Sequence, residues 1–261
     1  MKRIGIFVYG VVSYAIFFVT FLYAVGFLGN VGVPKSIDSP REGSLGVALA
    51  VDLLLLAAFA LQHSVMARPA FKKAWTRVVP PAAERSTYVL ASSVALIALF
   101  AWWRPIGGVV WHLEGTFARG VAHTLLAAGF ATVLVTTFLI NHFDLFGLRQ
   151  VWTHLRGRPY QPLAFRTSGP YAHVRHPLYV GWFLAFWATP AMTASHLVFA
   201  VATTAYILVA VLFEERDLVA EHGAAYERYR ARVPRFFPRL AVGRAQRVDR
   251  AEAGAATELA A

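Results

Sequence analysis

The chain has 261 residues, of which 57% are hydrophobic and only 15% charged, with a net charge of +11 and no cysteine; its mean hydropathy is +0.52. About a quarter of the residues in a soluble domain are charged, so an ordinary water-soluble globule is excluded, and without cysteine so are disulfides, thiolate metal sites and a cysteine nucleophile. The positive balance does not point to nucleic acid, because the basic residues stand in loops and tails beside apolar runs, where they set membrane orientation.

Four apolar runs come first, at 4–28, 45–61, 88–103 and 121–140. Each approaches or exceeds the roughly 20 residues that cross about 30 Å of hydrocarbon. The first follows Lys2 and Arg3, but it is longer than a signal-peptide core and no small-x-small cleavage site follows it, so it is expected to be a retained span. Lys and Arg are distributed unevenly: two at the N-terminus, two in the first loop, five in the second, two in the third, five in the fourth and nine from Glu214 onward. The positive-inside rule therefore places both termini and the two five-charge loops in the cytoplasm.

The stretch 177–213 would extend about 55 Å as one helix, far more than a bilayer requires. Pro190, with Thr189, Thr193 and Ser195 around it, breaks it, because proline ends a helix and Thr and Ser compete for backbone bonds. The expectation is an all-α polytopic bundle of four spans plus a C-terminal transmembrane hairpin whose first arm is short for a full crossing. One domain covers 1–240, and the Ala/Arg/Glu-rich tail 241–261 is expected to be disordered.

A hairpin would bring Arg175-His176 and Glu214-Glu215 together at the cytoplasmic face. Pro177 suits the first helical position, so the helix amino end beside His176 offers N–H groups and a partial positive charge to an anion. The paired glutamates can accept from hydroxyls or hold a cation, and Tyr171, Tyr179, Trp182 and Tyr229 can stack on a base or face a cation. Such a site suits a nucleotide-like cofactor of mixed charge.

Gly169-Pro170-Tyr171, Val174-Arg175-His176-Pro177-Leu178-Tyr179-Val180-Gly181, Glu214-Glu215 and the run from Tyr226 through Tyr229 to Val233-Pro234-Arg235-Phe236-Phe237-Pro238 resemble the S-adenosylmethionine site of the isoprenylcysteine carboxyl methyltransferase superfamily. In the N-terminal half, 61–68, Glu84-Arg85-Ser86-Thr87-Tyr88 and 141–152 resemble the bacterial methanethiol S-methyltransferases, a branch related to the NnrU-like membrane proteins. The resemblance covers 1 to about 240. It implies an integral membrane enzyme that converts methanethiol and S-adenosylmethionine into dimethyl sulfide and S-adenosylhomocysteine, in the bacterial inner membrane. No metal is expected.

With that reading, His176, Tyr179, Gly181, Glu214 and Glu215 are the expected cofactor residues. Arg175 would pair with a carboxylate, Tyr171 and Tyr229 would contact the cofactor, and Arg232 would be a second anion clamp. The acceptor must react as a thiolate, and an alkyl thiol has a pKa above the ~8.5 of cysteine. His142 is the expected base, with Asp144 converging on it at the helix end to raise its basicity. His63, Arg85 and Tyr88 lie at the cytoplasmic ends of the second and third spans, where they could join the pocket on the substrate side. Two rivals remain open on the residues: a haem or quinone protein, since intramembrane histidines can be axial ligands, and a nicotinamide-dependent reductase, although no Gly-x-Gly-x-x-Gly loop exists.

Overall fold

The computed structural model describes residues 2–41, 43–163, 167 and 169–238; the tail 241–261 lies outside the described residues. Five helices are long and apolar enough to cross a membrane: α1 (Lys2–Gly29), α2 (Leu45–Ala67), α4 (Pro81–Trp102), α5 (Thr116–Ile140) and α9 (Ala194–His222). Between them lie α3 (Pro69–Trp75), α6 (His142–Leu145), α7 (Leu148–Leu155) and α8 (Pro177–Trp187), and α10 (Ala224–Arg232) follows α9. Large apolar side chains face outward all along the spans, with Val19 66% and Leu54 69% exposed. A bundle with this outer surface is stable in lipid rather than in water. The chain is a multi-pass membrane protein.

The expected hairpin forms. Pro177 starts α8 at its first turn, and α8 rises only about 16 Å, half a bilayer, at 1.5 Å per residue. The break is more than a turn. Ala191–Thr193 (β2) pairs antiparallel with Val109–His112 (β1), a two-stranded ribbon that the all-α reading did not include. Asp38 fastens this end: Oδ2 accepts from Asn30 at 2.7 Å and lies 3.7 Å from His196 Nδ1, and Oδ1 accepts from the Thr193 hydroxyl. Burial alone would raise the Asp38 carboxyl, but the His196, Thr193 and Asn30 contacts hold it below its ordinary value.

α8 is pressed against α5 through glycines. A Cβ on Gly129 would meet the Ala185 nitrogen at 2.6 Å, and one on Gly181 would meet the Gly129 carbonyl at 2.8 Å. In lipid, where apolar side chains gain little by leaving the solvent, such small-residue crossings let backbones pack closely. The aromatic core sits between this pair and the C-terminal ends of α1 and α4: Phe27, Phe100, Trp103, Phe130, Phe186 and Phe199. Asp52, the one acidic residue within an apolar run, is fully buried and accepts from the Arg104 backbone at 2.8 Å, capping the end of α4.

α2 and α4 run past the apolar segments 45–61 and 88–103. Their added turns carry Gln62, His63 and Ser64 on α2 and Glu84 and Arg85 on α4, polar residues that hydropathy excludes. Several are satisfied in pairs across the helices, Ser64 with Tyr206 and His63 with Ser92 and Tyr88, so the helices can continue.

Candidate active site

The two ends of the hairpin meet. Glu215 is 4% exposed and is held by three cationic or hydrogen-bonding partners. Arg175 approaches Oε1 with Nη2 at 2.7 Å and Nε at 2.8 Å, and His176 Nε2 lies 3.1 Å from the same oxygen. Arg235 donates to Oε2 with Nη2 at 2.8 Å and Nε at 3.1 Å. Glu214, one residue earlier and half-buried, accepts from the Tyr179 hydroxyl at 2.8 Å on Oε2. Neighbouring residues on a helix point about 100° apart, so the two carboxylates face different partners. Glu215 closes a clamp, and Glu214 looks toward the tyrosines.

This division corrects several expectations. Arg175 is not open to a ligand carboxylate: its remaining nitrogen, Nη1, donates to the Arg230 and Val233 carbonyls. The backbone N–H groups of Arg175 and His176, just before α8, are not open to an anion either: they donate to the Pro234 and Arg235 carbonyls at 2.8 and 3.0 Å, because 233–236 lies alongside. The second arginine on the glutamates is Arg235 rather than Arg232. Gly181 faces Gly129 and Val133 of α5, so its missing side chain serves helix packing rather than approach to a cofactor. The Tyr229 hydroxyl donates to the Tyr171 carbonyl at 2.6 Å, holding the 3-10 turn Gly169–Ala172 onto α10. The Tyr171 ring stands near Glu214, and burial, then the Glu214 charge, then Tyr229 raise its hydroxyl well above the ordinary value. Burial, reinforced by Glu215, pushes Tyr226 up to about 12.

His142 is buried, but not against Asp144. The Thr137 hydroxyl can donate to the Leu134 carbonyl at 2.7 Å and lies 2.8 Å from His142 Nδ1, an arrangement that suits the tautomer with the proton on Nδ1. Nε2 then carries the lone pair and accepts from the Tyr14 hydroxyl at 2.8 Å. Phe138 stacks on the ring with centroids 4.1 Å apart, and burial lowers the imidazole pKa below its ordinary value. The Asp144 carboxylate instead pairs with Arg149 at 2.9 Å and accepts from Tyr160. The expected carboxylate–imidazole pair is therefore not formed, and Thr137 fixes the ring in its place. Asn141 makes the turn possible: it joins α5 to α6 at φ 143°, and its side chain accepts from the Asp144 backbone. A non-glycine residue at such a φ carries strain.

His63, Arg85 and Tyr88 come together as expected. The Tyr88 hydroxyl lies 2.8 Å from His63 Nε2, and the Arg85 guanidinium stands 5.2 Å from the Tyr88 ring centre. They are also drawn into one region with the hairpin, since Tyr88, Tyr179 and Tyr206 all lie within electrostatic reach of Glu214. Arg68 at the end of α2 pairs with Asp217 of α9 at 2.8 Å, tying the two sides together. Sequence reasoning missed Tyr14, Thr137, Tyr206 and the Arg68–Asp217 bridge. Only that bridge left a signal, an arginine about two turns and an aspartate about one turn beyond a membrane run.

A family described as phospholipid methyltransferase matches residues 117–224. Over 91% of this chain and 93% of the relative, the sequence is 55% identical to a methanethiol S-methyltransferase of Crocosphaera subtropica. It is 56% identical to methanethiol S-methyltransferase 2 of Bradyrhizobium diazoefficiens over 91% of this chain and 92% of that one, and 51% identical to the methanethiol S-methyltransferase of Mycobacterium tuberculosis over 91% and 98%. No solved structure matches. With five membrane helices, a hairpin that brings Arg175, His176, Glu214 and Glu215 together, and this likeness along nearly its whole length, the chain belongs to the methanethiol S-methyltransferase family of membrane methyltransferases.

Proposed function

We propose that the chain methylates methanethiol with S-adenosylmethionine, yielding dimethyl sulfide and S-adenosylhomocysteine, in a bacterial inner membrane with both termini in the cytoplasm. The observation that carries the reading is the split of the glutamate pair: Glu215 neutralises Arg175 and Arg235, which leaves Glu214, Tyr179, Tyr171 and Tyr206 as a polar, aromatic surface at the mouth of the hairpin. That donor set fits the methyl donor. Glu214 keeps Oε1 for a hydroxyl or cationic group, and tyrosine faces attract a positively charged sulfonium. When bound, S-adenosylmethionine supplies an already activated methyl group, so the protein's tasks are alignment, exclusion of water and removal of one proton.

The proton passes from the thiol to His142. Nε2 is the acceptor, Tyr14 carries the proton across, and Thr137 keeps Nδ1 protonated so that Nε2 stays free. With its proton gone, the thiol sulfur would take the methyl carbon as that carbon's bond to the sulfonium sulfur breaks and S-adenosylhomocysteine leaves, and the imidazolium would then return the proton to water. Glu215, Arg175, His176 and Arg235 hold the hairpin ends in register, and Asp144 holds the α6–α7 turn against Arg149 and Tyr160. Methanethiol, small and lipid-soluble, enters from the bilayer, and the charged donor enters from the cytoplasm.

The test is headspace gas chromatography of membranes holding the full chain. Dimethyl sulfide is expected when methanethiol and S-adenosylmethionine are both added and from neither alone. Binding of the donor without any dimethyl sulfide, while a larger thiol is methylated, would overturn the acceptor assignment.

A further inference from the structure

Resting on the reading that S-adenosylmethionine is the donor, a question of charge remains. The donor carries a carboxylate at its amino-acid end, and a carboxylate taken out of water needs a cation or several N–H groups. The arginine of the sequence motif cannot serve, because all three of its nitrogens are engaged, by Glu215 and by two backbone carbonyls. Arg235 has Nε and Nη2 on Glu215, and Arg68 has Nη1 on Asp217 and Nε on the Ser64 carbonyl, so neither keeps a whole Nη1/Nη2 edge open.

Arg85 is different. Its Nε donates to the Leu145 carbonyl at 2.8 Å, which fixes the guanidinium between α4 and α6. Among the described residues, Nη1 and Nη2 have no hydrogen-bond partner and no carboxylate lies within ion-pair distance. Its plane is steadied by the Tyr88 ring 5.2 Å away, and Tyr88 lies within electrostatic reach of Glu214. Charges of both signs stand nearby: Arg68 is paired with Asp217, and Glu84 and Glu221 act on Lys72. Arg68 and Arg85 both act on His63, and Lys72 lies near both, its ammonium pKa lowered first by burial and next by Arg85. A planar fork with its Nη1/Nη2 edge open matches a carboxylate in the bidentate manner that lysine cannot reproduce.

We propose that Arg85, and not Arg175, receives the carboxylate of the methyl donor. The donor then lies across the mouth of the bundle, with its amino-acid end at α4 and α6 and its remainder toward Glu214 and the tyrosines of α8 and α9. α4 thereby sets cofactor specificity, although the sequence motif for the cofactor lies within 169–238.

The experiment is equilibrium binding to the purified full chain of two probes, S-adenosylmethionine and its decarboxylated analogue, which keeps the sulfonium, the nucleoside and the amine. Wild type should bind the analogue at least tenfold more weakly. In Arg85→Gln the affinity for S-adenosylmethionine should fall at least tenfold while that for the analogue changes little, so the preference collapses toward unity. Arg85→Lys, which keeps the charge and the fold but not the fork, should retain only part of it, and it stands as the deciding variant if the glutamine protein does not fold. Arg175→Lys should lower the thermal midpoint and leave the preference unchanged. A preference kept in the Arg85 variants, lost in Arg175→Lys, or missing in wild type overturns the assignment. Failure of wild type to bind either probe would instead overturn the choice of donor.

Discussion

Glu214 and Glu215 are adjacent, identical and different in office. Glu215→Gln leaves Arg175 buried without a counter-charge and should cost about 3 kcal/mol, the low end for breaking a buried pair because Arg235 on its other side is partly solvated. Thermal unfolding in detergent would register it. Glu214→Gln should leave the thermal midpoint within a degree or two and weaken S-adenosylmethionine binding at least tenfold; a variant that binds normally removes Glu214 from the cofactor site. The pH profile tests His142. A base must be neutral, and burial places this imidazole below the ordinary 6.5. Turnover should therefore persist through pH 6.5 and fall only as pH drops through the lowered value. His142→Gln should abolish that acid limb, and Asp144→Asn should leave its position unmoved. The sequence named the glutamate pair, the Arg-His dipeptide and His142, because these residue types at membrane edges need a reason. It could not name their partners. Thr137 and Tyr14 look like ordinary helix residues, and only a folded backbone shows that one orients the ring and the other reaches its lone pair.

At the scale of elements, the α5–α8 crossing is the contact that positions the site, since it fixes the helix whose first turn carries His176 and Tyr179. Gly181→Val would drive three carbons toward the Gly129 carbonyl and Val133, already 2.8 and 2.9 Å from a bare Cβ. Overpacking of this kind costs typically 1–3 kcal/mol. The variant should unfold at lower temperature and lose donor affinity with it, whereas Leu184→Met, a volume-conserving change on the same helix, should do neither. The spans and the doubling back were legible because hydropathy, charge asymmetry and Pro190 all speak to the membrane. The ribbon was not, because Ala191-Met192-Thr193 is too short to show alternation and its partner strand is fully exposed. Helix ends were misjudged for a different reason. Gln62, His63 and Arg85 stop a hydropathy window, but cross-helix hydrogen bonds let the helices continue through them.

At the scale of the whole molecule, the orientation of the bundle is open to direct measurement, and the lack of native cysteine makes the background clean. Single cysteines at Val78 and Gly223 should react with a membrane-impermeant maleimide only when the cytoplasmic face is exposed, and one at Val110 only from the opposite face. Labelling of positions 78 and 223 from opposite sides would separate the joined ends of α2 and α4 from the Glu214 end of the hairpin and dismantle the site. The charge counts predict this arrangement. They do not predict that α2 and α4 stand beside the ends of α8 and α9, since no local pattern links Arg85 to Glu214 across more than a hundred residues.

The Arg235 bridge to Glu215 has a consequence for biogenesis. Glu215 is synthesised twenty residues before the arginine that completes its neutralisation, so a nascent chain released at residue 232 would possess every membrane helix and still lack half of the clamp. A chain ending after Arg232 should therefore insert normally but be cleared by membrane proteases, while one ending after Pro238 should persist; pulse-chase measurement of the two would reveal it. Membrane insertion and maturation of the enzyme thus become separate events, with six residues at the water's edge deciding the second.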